Sequence, residues 1–307
     1  MKKLICLLMT AVIMMQFCCC GTAKRDSDKL QVVCTIFPQY DFARAIAGDR
    51  AEVSMLLRPG TESHSYDPTP GDMLTVQQCD LFLYVSPYME NWAESVIATI
   101  DTSHTAVLRL DDGIDLIENS HDDHDHDDHG DHQYNGHIWT DPIIAKKMVS
   151  AIADKMSQLD PQGAEVYKQN AAAYIAELDK LDARFRRISE CAIRRTALFA
   201  GRFAFSYLFE RYGFDYIAAY SSCSADGEPS AAEMMRIVNA VKDDGVPCVY
   251  YEELVEPRVA KTVVSETGCD MLLLHSCHNL SLDDFNAGVT YISLMNQNAD
   301  NLEKGLL

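Results

Sequence analysis

Short apolar runs alternate with longer amphipathic stretches along this chain, and the whole alternation occurs twice. The apolar runs predict strands at 29–37, 52–57, 81–85 and 105–110, and again at 196–200, 214–219, 247–251 and 270–274. Apolar residues spaced three or four apart predict helices at 40–47, from 70 onward, at 90–100, 203–212, 229–244 and 256–267, and from 281 onward. Strands that alternate with helices form parallel sheets covered by helices, so we expect an α/β fold with two similar lobes.

A single long helix is predicted between the two halves, at 161–190. This stretch is rich in alanine and repeats apolar residues at helical spacing over its whole length. A helix of that length would extend about 45 Å, longer than one lobe is wide. We therefore expect an N-terminal lobe at 20–160, a rigid linking helix at 161–190 and a C-terminal lobe at 191–307.

The first residues of the chain have the pattern of a secretory signal. Lys2 and Lys3 precede an apolar run at 4–17 that is too short to span a membrane and ends in three cysteines, Cys18 to Cys20. This resembles a bacterial lipoprotein signal, with cleavage after residue 19 and a lipid on Cys20. Cys19 stays open as the lipidated residue, and so do an uncleaved anchor and a plain signal peptide.

Composition narrows the functional classes. The 307 residues carry a formal charge of −20, which becomes −22 when the two leader lysines are removed, and such an acidic protein does not suit a nucleic-acid partner. Seven cysteines follow the cluster at 18–20 without any CxxC pair, which favours neither a disulfide framework nor a zinc ribbon. Cys34 and Cys248 lie in apolar strands and are expected in the core.

Residues capable of metal chemistry follow the predicted strands. Parallel sheets bind ligands beyond the carboxyl ends of their strands, so loops after different strands can meet in one crevice. Those loops carry His64, His137, Arg202, Glu252, Glu253, His275, Cys277 and His278. Asp141, four residues after His137 and just before Pro142, is expected to cap a helix rather than to bind metal. Thr69 before Pro70 has the same capping pattern.

Eight motifs in order make the chain resemble the substrate-binding lipoproteins of zinc and manganese ABC importers, from residue 32 to the end. They are the opening strand with Phe37-Pro38, PGTESHSYDPTP, the Asp/His-rich loop, GHIWTDP, AFSYLFERYG, GEPSA, YYEELVEPRVAKTVVSETG and YISLMNQN. The resemblance implies two α/β lobes joined by a long rigid helix, with the metal between the lobes. It also implies three histidine ligands in the zinc branch, with a Glu or water as the fourth.

His64 and His137 match the first two of those ligands, but Arg202 stands where the third histidine would fall. A guanidinium has no lone pair to donate, so Arg202 is not a ligand and needs a neutralising acid, for which Glu228, Glu252 and Glu253 are candidates. His278 replaces the Glu of the fourth position. We therefore expect a site of His64, His137 and His278, completed by Glu253, Glu252, His275 or water. The alternative is a degenerate site that binds metal poorly.

The run at 121–132 contains five histidines and six aspartates in twelve residues. It cannot form a packed core, and its imidazoles and carboxylates would hold zinc loosely in many arrangements. We expect a zinc-collecting loop, with a merely solubilising acidic loop as the alternative. The histidines concerned are His121, His124, His126, His129 and His132.

The resemblance implies an extracytoplasmic, membrane-anchored protein that captures zinc and delivers it to an ABC permease and its ATPase. It implies binding and transport rather than catalysis, with Zn²⁺ as the transported ligand, and we expect a monomer. Binding of manganese and a role as a surface adhesin are alternatives. A zinc hydrolase is less favoured, because the sequence has neither HExxH nor a nucleophile elbow.

Overall fold

The computed structural model describes residues 29–63, 66–119, 134–220 and 229–307. The N-terminal lobe contains strands β1 to β4 and helices α1 to α4, and its sheet is entirely parallel in the order β2-β1-β3-β4. Its elements are β1 Leu30–Cys34, α1 Phe37–Ala47, β2 Ala51–Met55, α2 Pro70–Gln78, β3 Leu81–Tyr84, α3 Ala93–Ile97, β4 Ala106–Arg109 and α4 Pro142–Leu159.

The long helix α5, Ala164–Cys191, connects this lobe to a second one of similar design. The C-terminal sheet is also parallel, in the order β6-β5-β7-β8. Its elements are β5 Thr196–Phe199, α6 Ser206–Tyr212, β6 Asp215–Ala218, α7 Ala231–Asp244, β7 Cys248–Tyr251, α8 Arg258–Thr267, β8 Asp270–Leu273, α9 Leu282–Asn286 and α10 Tyr291–Leu306. The predicted α/β fold of two lobes and a linking helix is confirmed, while the domain boundaries stay predictions.

Helix ends account for most differences from the predicted elements. The helix expected at 90–100 is limited to Ala93–Ile97, and the one expected at 203–212 begins only at Ser206. The single C-terminal helix expected from 281 is two helices, because Gly288 adopts a φ of 74° between them. A residue in this left-handed region cannot continue a right-handed helix.

Both predicted capping signals are confirmed. Thr69 accepts a hydrogen bond from the backbone N–H of Asp72, whose carboxylate accepts one from the backbone of Thr69 in return. Asp141 accepts a hydrogen bond from the backbone N–H of Ile143, 2.7 Å away, and also pairs with Arg211 of the other lobe. Both oxygens of the Asp141 carboxylate therefore have protein partners.

One continuous apolar core extends through both lobes along α5. The helix buries one face at helical spacing, with Leu178, Leu181 and Phe185 fully enclosed. Cys34 and Cys248 are buried in this core as expected. The six cysteines in the described part of the chain are free thiols. Within the described ranges, no helix is both long and apolar enough to cross a membrane.

A buried carboxylate joins the carboxyl ends of β1 and β3. Glu90 accepts hydrogen bonds from the backbone N–H groups of Val85 at 3.1 Å and Ser86 at 3.0 Å, and from the side chains of Thr35 and Gln39. Burial raises the pKa of Glu90 to about 7, and these hydrogen bonds oppose the rise. The group therefore favours its protonated form more in the folded protein than in the unfolded chain.

The free energy of unfolding should therefore fall as the pH rises from about 4.5 to about 7. Below this window Glu90 is protonated in both states; within it, only the folded state retains the proton. The slope from this one group reaches at most about 1.4 kcal/mol per pH unit. Urea unfolding at several pH values should show a shallower fall for Glu90→Gln than for the parent or for the exposed control Glu266→Gln. Equal slopes in all three proteins would contradict this assignment.

Candidate functional site

The carboxyl ends of the strands meet in a cleft between the lobes, as the topology predicts. The N-terminal lobe contributes the loop after β2, and the C-terminal lobe contributes the segments after β5, β7 and β8. The cleft is lined by Thr61, Glu62, Ser63, Arg202, Ala204, Phe205, Glu252, Glu253, Leu254, Val255, Ser276, His278 and Asn279. Of the residues proposed from sequence, Arg202, Glu252, Glu253 and His278 thus line one cavity.

Direct hydrogen bonds hold the segment after β8 against the N-terminal lobe. The indole Nε1 of Trp139 donates to the carbonyl of Ser276 at 2.8 Å, and the backbone N–H of Phe37 donates to the carbonyl of His278 at 3.1 Å. The side-chain amide of Asn279 donates to the carbonyl of Thr61 at 2.8 Å. These contacts fix His278 opposite the N-terminal lobe although it belongs to the other sheet.

His137 and His278 come together beside this cleft, and His278 is among its lining residues. Their ring centroids lie 4.6 Å apart with the ring planes at 89°, and only 4% of His137 and 8% of His278 is exposed. Trp139 packs against both rings, with centroid distances of 5.3 Å to His137 and 5.1 Å to His278. Two imidazoles from different lobes are thus paired in an apolar, water-poor setting.

The orientation of His137 is set by Asn135. The Nδ1 atom of His137 lies 2.7 Å from the side-chain oxygen of Asn135, which also accepts the backbone N–H of His137 at 2.9 Å. Because a backbone N–H can only donate, the bond from His137 assigns the amide oxygen of Asn135 to this side, and the amide nitrogen then donates to Ser206. An amide oxygen can only accept, so Nδ1 carries the proton and Nε2 carries the lone pair.

Arg202 is neutralised within the C-terminal lobe. Its Nε lies 3.1 and 3.2 Å from the two carboxylate oxygens of Glu252, its backbone N–H donates to the same carboxylate, and Glu62 lies 3.6 Å from its guanidinium. Burial raises the pKa of Glu252, and the positive charge of Arg202 opposes this rise. Glu252, one of the three acids expected from the sequence, therefore neutralises Arg202, and its carboxylate is occupied by that pairing.

His275 faces its own backbone rather than the other two histidines. Its Nδ1 accepts the N–H of Cys277 at 3.0 Å, and its main chain bonds to both ends of the Asn298 amide. Because Nδ1 accepts this bond, it has no proton to donate to the Glu253 carboxylate 3.7 Å away. Burial raises the pKa of the Cys277 thiol well above its ordinary value, which disfavours a thiolate ligand there.

The remaining predicted residues lie outside the described residues. They are His64, the lipidated Cys20, Glu228 and the loop histidines His121, His124, His126, His129 and His132. Among the described residues, no group of three or more His, Cys, Asp or Glu side chains is arranged to hold a metal ion. Two of the three proposed imidazoles, His137 and His278, are placed together, and the third is not among the described residues.

Sequence reasoning missed the polar neighbours of these histidines. Asn135 and Ser276 each lie two residues before a histidine, and each contacts the ring Nδ1 of that histidine. A polar residue at position −2 is too common to predict this contact by itself. The aromatic wall formed by Trp139 had no distinct signal either, because a tryptophan beside a helix start is usually core.

The sequence model of the family described as "Zinc-uptake complex component A periplasmic" matches residues 32–305. The chain belongs to this family. It is 35% identical over 291 residues to the high-affinity zinc uptake system protein ZnuA of Bacillus subtilis, covering 94% of this chain and 91% of that protein.

Two streptococcal proteins are similar as well. The zinc-binding lipoprotein AdcA of Streptococcus pneumoniae is 32% identical over 308 residues; the match covers 99% of this chain but only 61% of AdcA. The Zn(II)-bound ZnuA-like domain of that protein has a TM-score of 0.76 and 30% identity, covering 91% of this chain and 99% of the domain. The laminin-binding protein Lmb of Streptococcus agalactiae, described as an adhesin with metal-transporting activity, has a TM-score of 0.75 and 25% identity, covering 91% of this chain and all of that one.

Proposed function

We propose that this protein captures zinc outside the cytoplasm and delivers it to an ABC import permease that is driven by its ATPase. The observation that carries the proposal is the pair of buried imidazoles, His137 and His278, brought together from two lobes in a cleft of the family's fold. Imidazole suits zinc, whereas manganese prefers sites rich in oxygen. Zinc is the cargo here, and no catalytic residue is required.

The proposed ligand set is His64, His137 and His278. The ring of His137 presents Nε2 toward a metal because Asn135 holds the proton on Nδ1. Three imidazoles and one further donor satisfy tetrahedral zinc. Glu252 is committed to Arg202 and the Nδ1 of His275 to a backbone N–H, so water is preferred over these two as the fourth donor.

A lipid on Cys20 would keep the protein at the membrane near its permease. The family description places its members in the periplasm, and the AdcA relative is described as a lipoprotein. A monomer suits this role, because each lobe pair supplies one complete cleft. The adhesin role described for Lmb has no separate observation in this chain to favour it.

The function is tested by comparing metals in the full-length chain and in the cell. We expect the purified protein to bind Zn²⁺ far more tightly than Mn²⁺, and a strain that lacks the gene to grow poorly when zinc is chelated. Added zinc should restore growth, whereas added manganese should not. Rescue by manganese alone, or tighter binding of Mn²⁺, would identify a manganese importer instead.

The run at 121–132 is proposed to collect zinc for the deep site. Deleting these residues should reduce growth at scarce zinc while leaving the tightest zinc affinity of the protein unchanged. Because loosely held ions matter only when zinc is limiting, growth in zinc-replete medium should not change. A variant with the five histidines replaced by asparagine separates collection from solubility. Undiminished import at scarce zinc in that variant would refute the collecting role.

A further inference from the structure

We infer that Glu253 and Ser276 form a hydrogen-bonded relay that fixes the tautomer and orientation of His278, so that Glu253 acts through Ser276 rather than as a metal ligand. This inference rests on the proposed function, in which His278 binds the transported zinc. Both residues then position the imidazole of His278, and neither of them coordinates the metal.

The contacts of the three side chains leave one consistent arrangement of protons. The Oγ of Ser276 contacts a carboxylate oxygen of Glu253 and lies 2.5 Å from the Nδ1 of His278. A carboxylate can only accept, so the single hydroxyl proton of Ser276 points to Glu253. The lone pairs of Oγ then accept the Nδ1–H and, at 3.3 Å, the backbone N–H of His278. The proton on Nδ1 leaves the lone pair on Nε2, which is buried.

The carboxylate of Glu253 is held at both oxygens. Its second oxygen accepts the backbone N–H of Ser276 at 2.8 Å, so the two carboxylate oxygens of Glu253 both contact Ser276. Only 9% of the Glu253 side chain is exposed. A carboxylate in this position supports the imidazole electrostatically when the ring binds a cation, in the manner of carboxylate–histidine–metal arrangements but with a serine between.

Two residues next to the relay have left-handed backbone conformations. Leu254 and Cys277, with φ of 59° and 63°, are the non-glycine residues of the described chain in the left-handed region. Leu254 follows Glu253 directly, and Cys277 separates Ser276 from His278. This conformation is unfavourable for residues with a side chain and is retained where surrounding structure requires it. At Cys277 it turns the side chains of residues 276 and 278 toward each other.

Neighbouring contacts hold the relay in place from both sides. Trp139 of the N-terminal lobe donates to the carbonyl of Ser276, and Phe37 donates to that of His278. His275, whose Nδ1 lies 3.7 Å from Glu253, is itself fixed by Asn298. The relay is therefore built into the interlobe cleft rather than into a free loop.

The test measures zinc affinity and the ring protonation of His278 in the full-length chain. Ser276→Ala should lower the affinity of the tightest site about 10- to 100-fold, the range for lost partners of metal-binding histidines. Ser276→Thr, which restores a hydroxyl, should recover most of that loss. The exposed Ser265→Ala is the matched control, with no expected change. Full affinity in Ser276→Ala would overturn the relay.

Nitrogen NMR of histidine-labelled, metal-free protein reports the tautomer directly, with the His278 signal identified by its absence in His278→Ala. We expect the proton on Nδ1 in the parent chain and in Ser276→Thr, and a loss of this preference in Ser276→Ala. A parent protein with the proton on Nε2 would overturn the inference, because that tautomer cannot make the described contact to Ser276 and bind metal through Nε2.

A double-variant comparison separates positioning from direct ligation. If Glu253 acts through Ser276, combining Glu253→Gln with Ser276→Ala should weaken zinc binding hardly more than Ser276→Ala alone. If the two substitutions instead lower the zinc affinity by independent factors that multiply in the double variant, Glu253 binds the metal directly and the relay is refuted. A failure of the proposed ligand set can be told apart from a failure of the relay. If His278 is not a ligand, His278→Ala leaves the zinc affinity unchanged.

Discussion

Replacing His137 with alanine should lower the zinc affinity of the full-length chain by more than about 100-fold, the upper end of the loss expected for an outer partner of a ligand. His137 is 4% exposed, lies against His278 and presents Nε2 as its lone-pair atom. Alanine removes one of three proposed imidazoles, and a water that takes its place donates more weakly to zinc. Competition against a chelator of known affinity measures the loss at the tightest site.

His104→Ala is the matched control for this experiment. His104 is exposed and lies just before β4, at the end of the strand opposite the carboxyl ends that form the cleft, so the same substitution there should leave the tight affinity within about twofold. Circular dichroism and the unfolding midpoint of both variants separate lost binding from lost folding. A folded His137→Ala protein that binds zinc as tightly as the parent would remove His137 from the ligand set.

The parts of this protein that follow local rules could be predicted from its sequence. Thr69 and Asp141 cap helices as their proline-flanked patterns indicate, because a cap depends on residues two or three positions away. The crevice at the strand ends also follows from parallel topology alone. For Arg202, the argument that a cation near a cation site must be neutralised left three candidate acids, and the structure pairs it with one of them, Glu252.

Long-range polar contacts could not be predicted in the same way. Glu253 and Ser276 are 23 residues apart, and the left-handed backbone that follows each of them, at Leu254 and Cys277, is not marked by a glycine in the sequence. The distance between His137 and His278 depends on how one lobe packs against the other. Packing between lobes is set by the summed fit of many apolar side chains, which periodicity does not record.

Asp41 connects three helices that hold the two lobes together. From α1, its carboxylate accepts the hydroxyl of Tyr174 in α5 at 2.7 Å, the backbone N–H of Tyr291 at the start of α10 at 3.0 Å, and Nε of Arg44 at 2.9 Å. Asp41 is 1% exposed, and Tyr291 donates in turn to the carbonyl of Trp139 beside the candidate site. This carboxylate therefore links the lobe packing to the wall of the cleft.

Asp41→Ala should lower the free energy of unfolding by about 2–5 kcal/mol, the cost expected when two buried donors lose a charged acceptor at about 1–3 kcal/mol each. The variant leaves the Tyr174 hydroxyl and the Tyr291 N–H without their buried acceptor. The control is Asp179→Ala, which breaks the exposed pair with Lys146 and should cost about 1 kcal/mol or less. Urea unfolding of the metal-free proteins measures both. Similar losses of unfolding free energy in the two variants would show that Asp41 contributes no more than an exposed ion pair. A larger loss in Asp41→Ala, together with weaker zinc binding, would show that the site depends on how the lobes are joined.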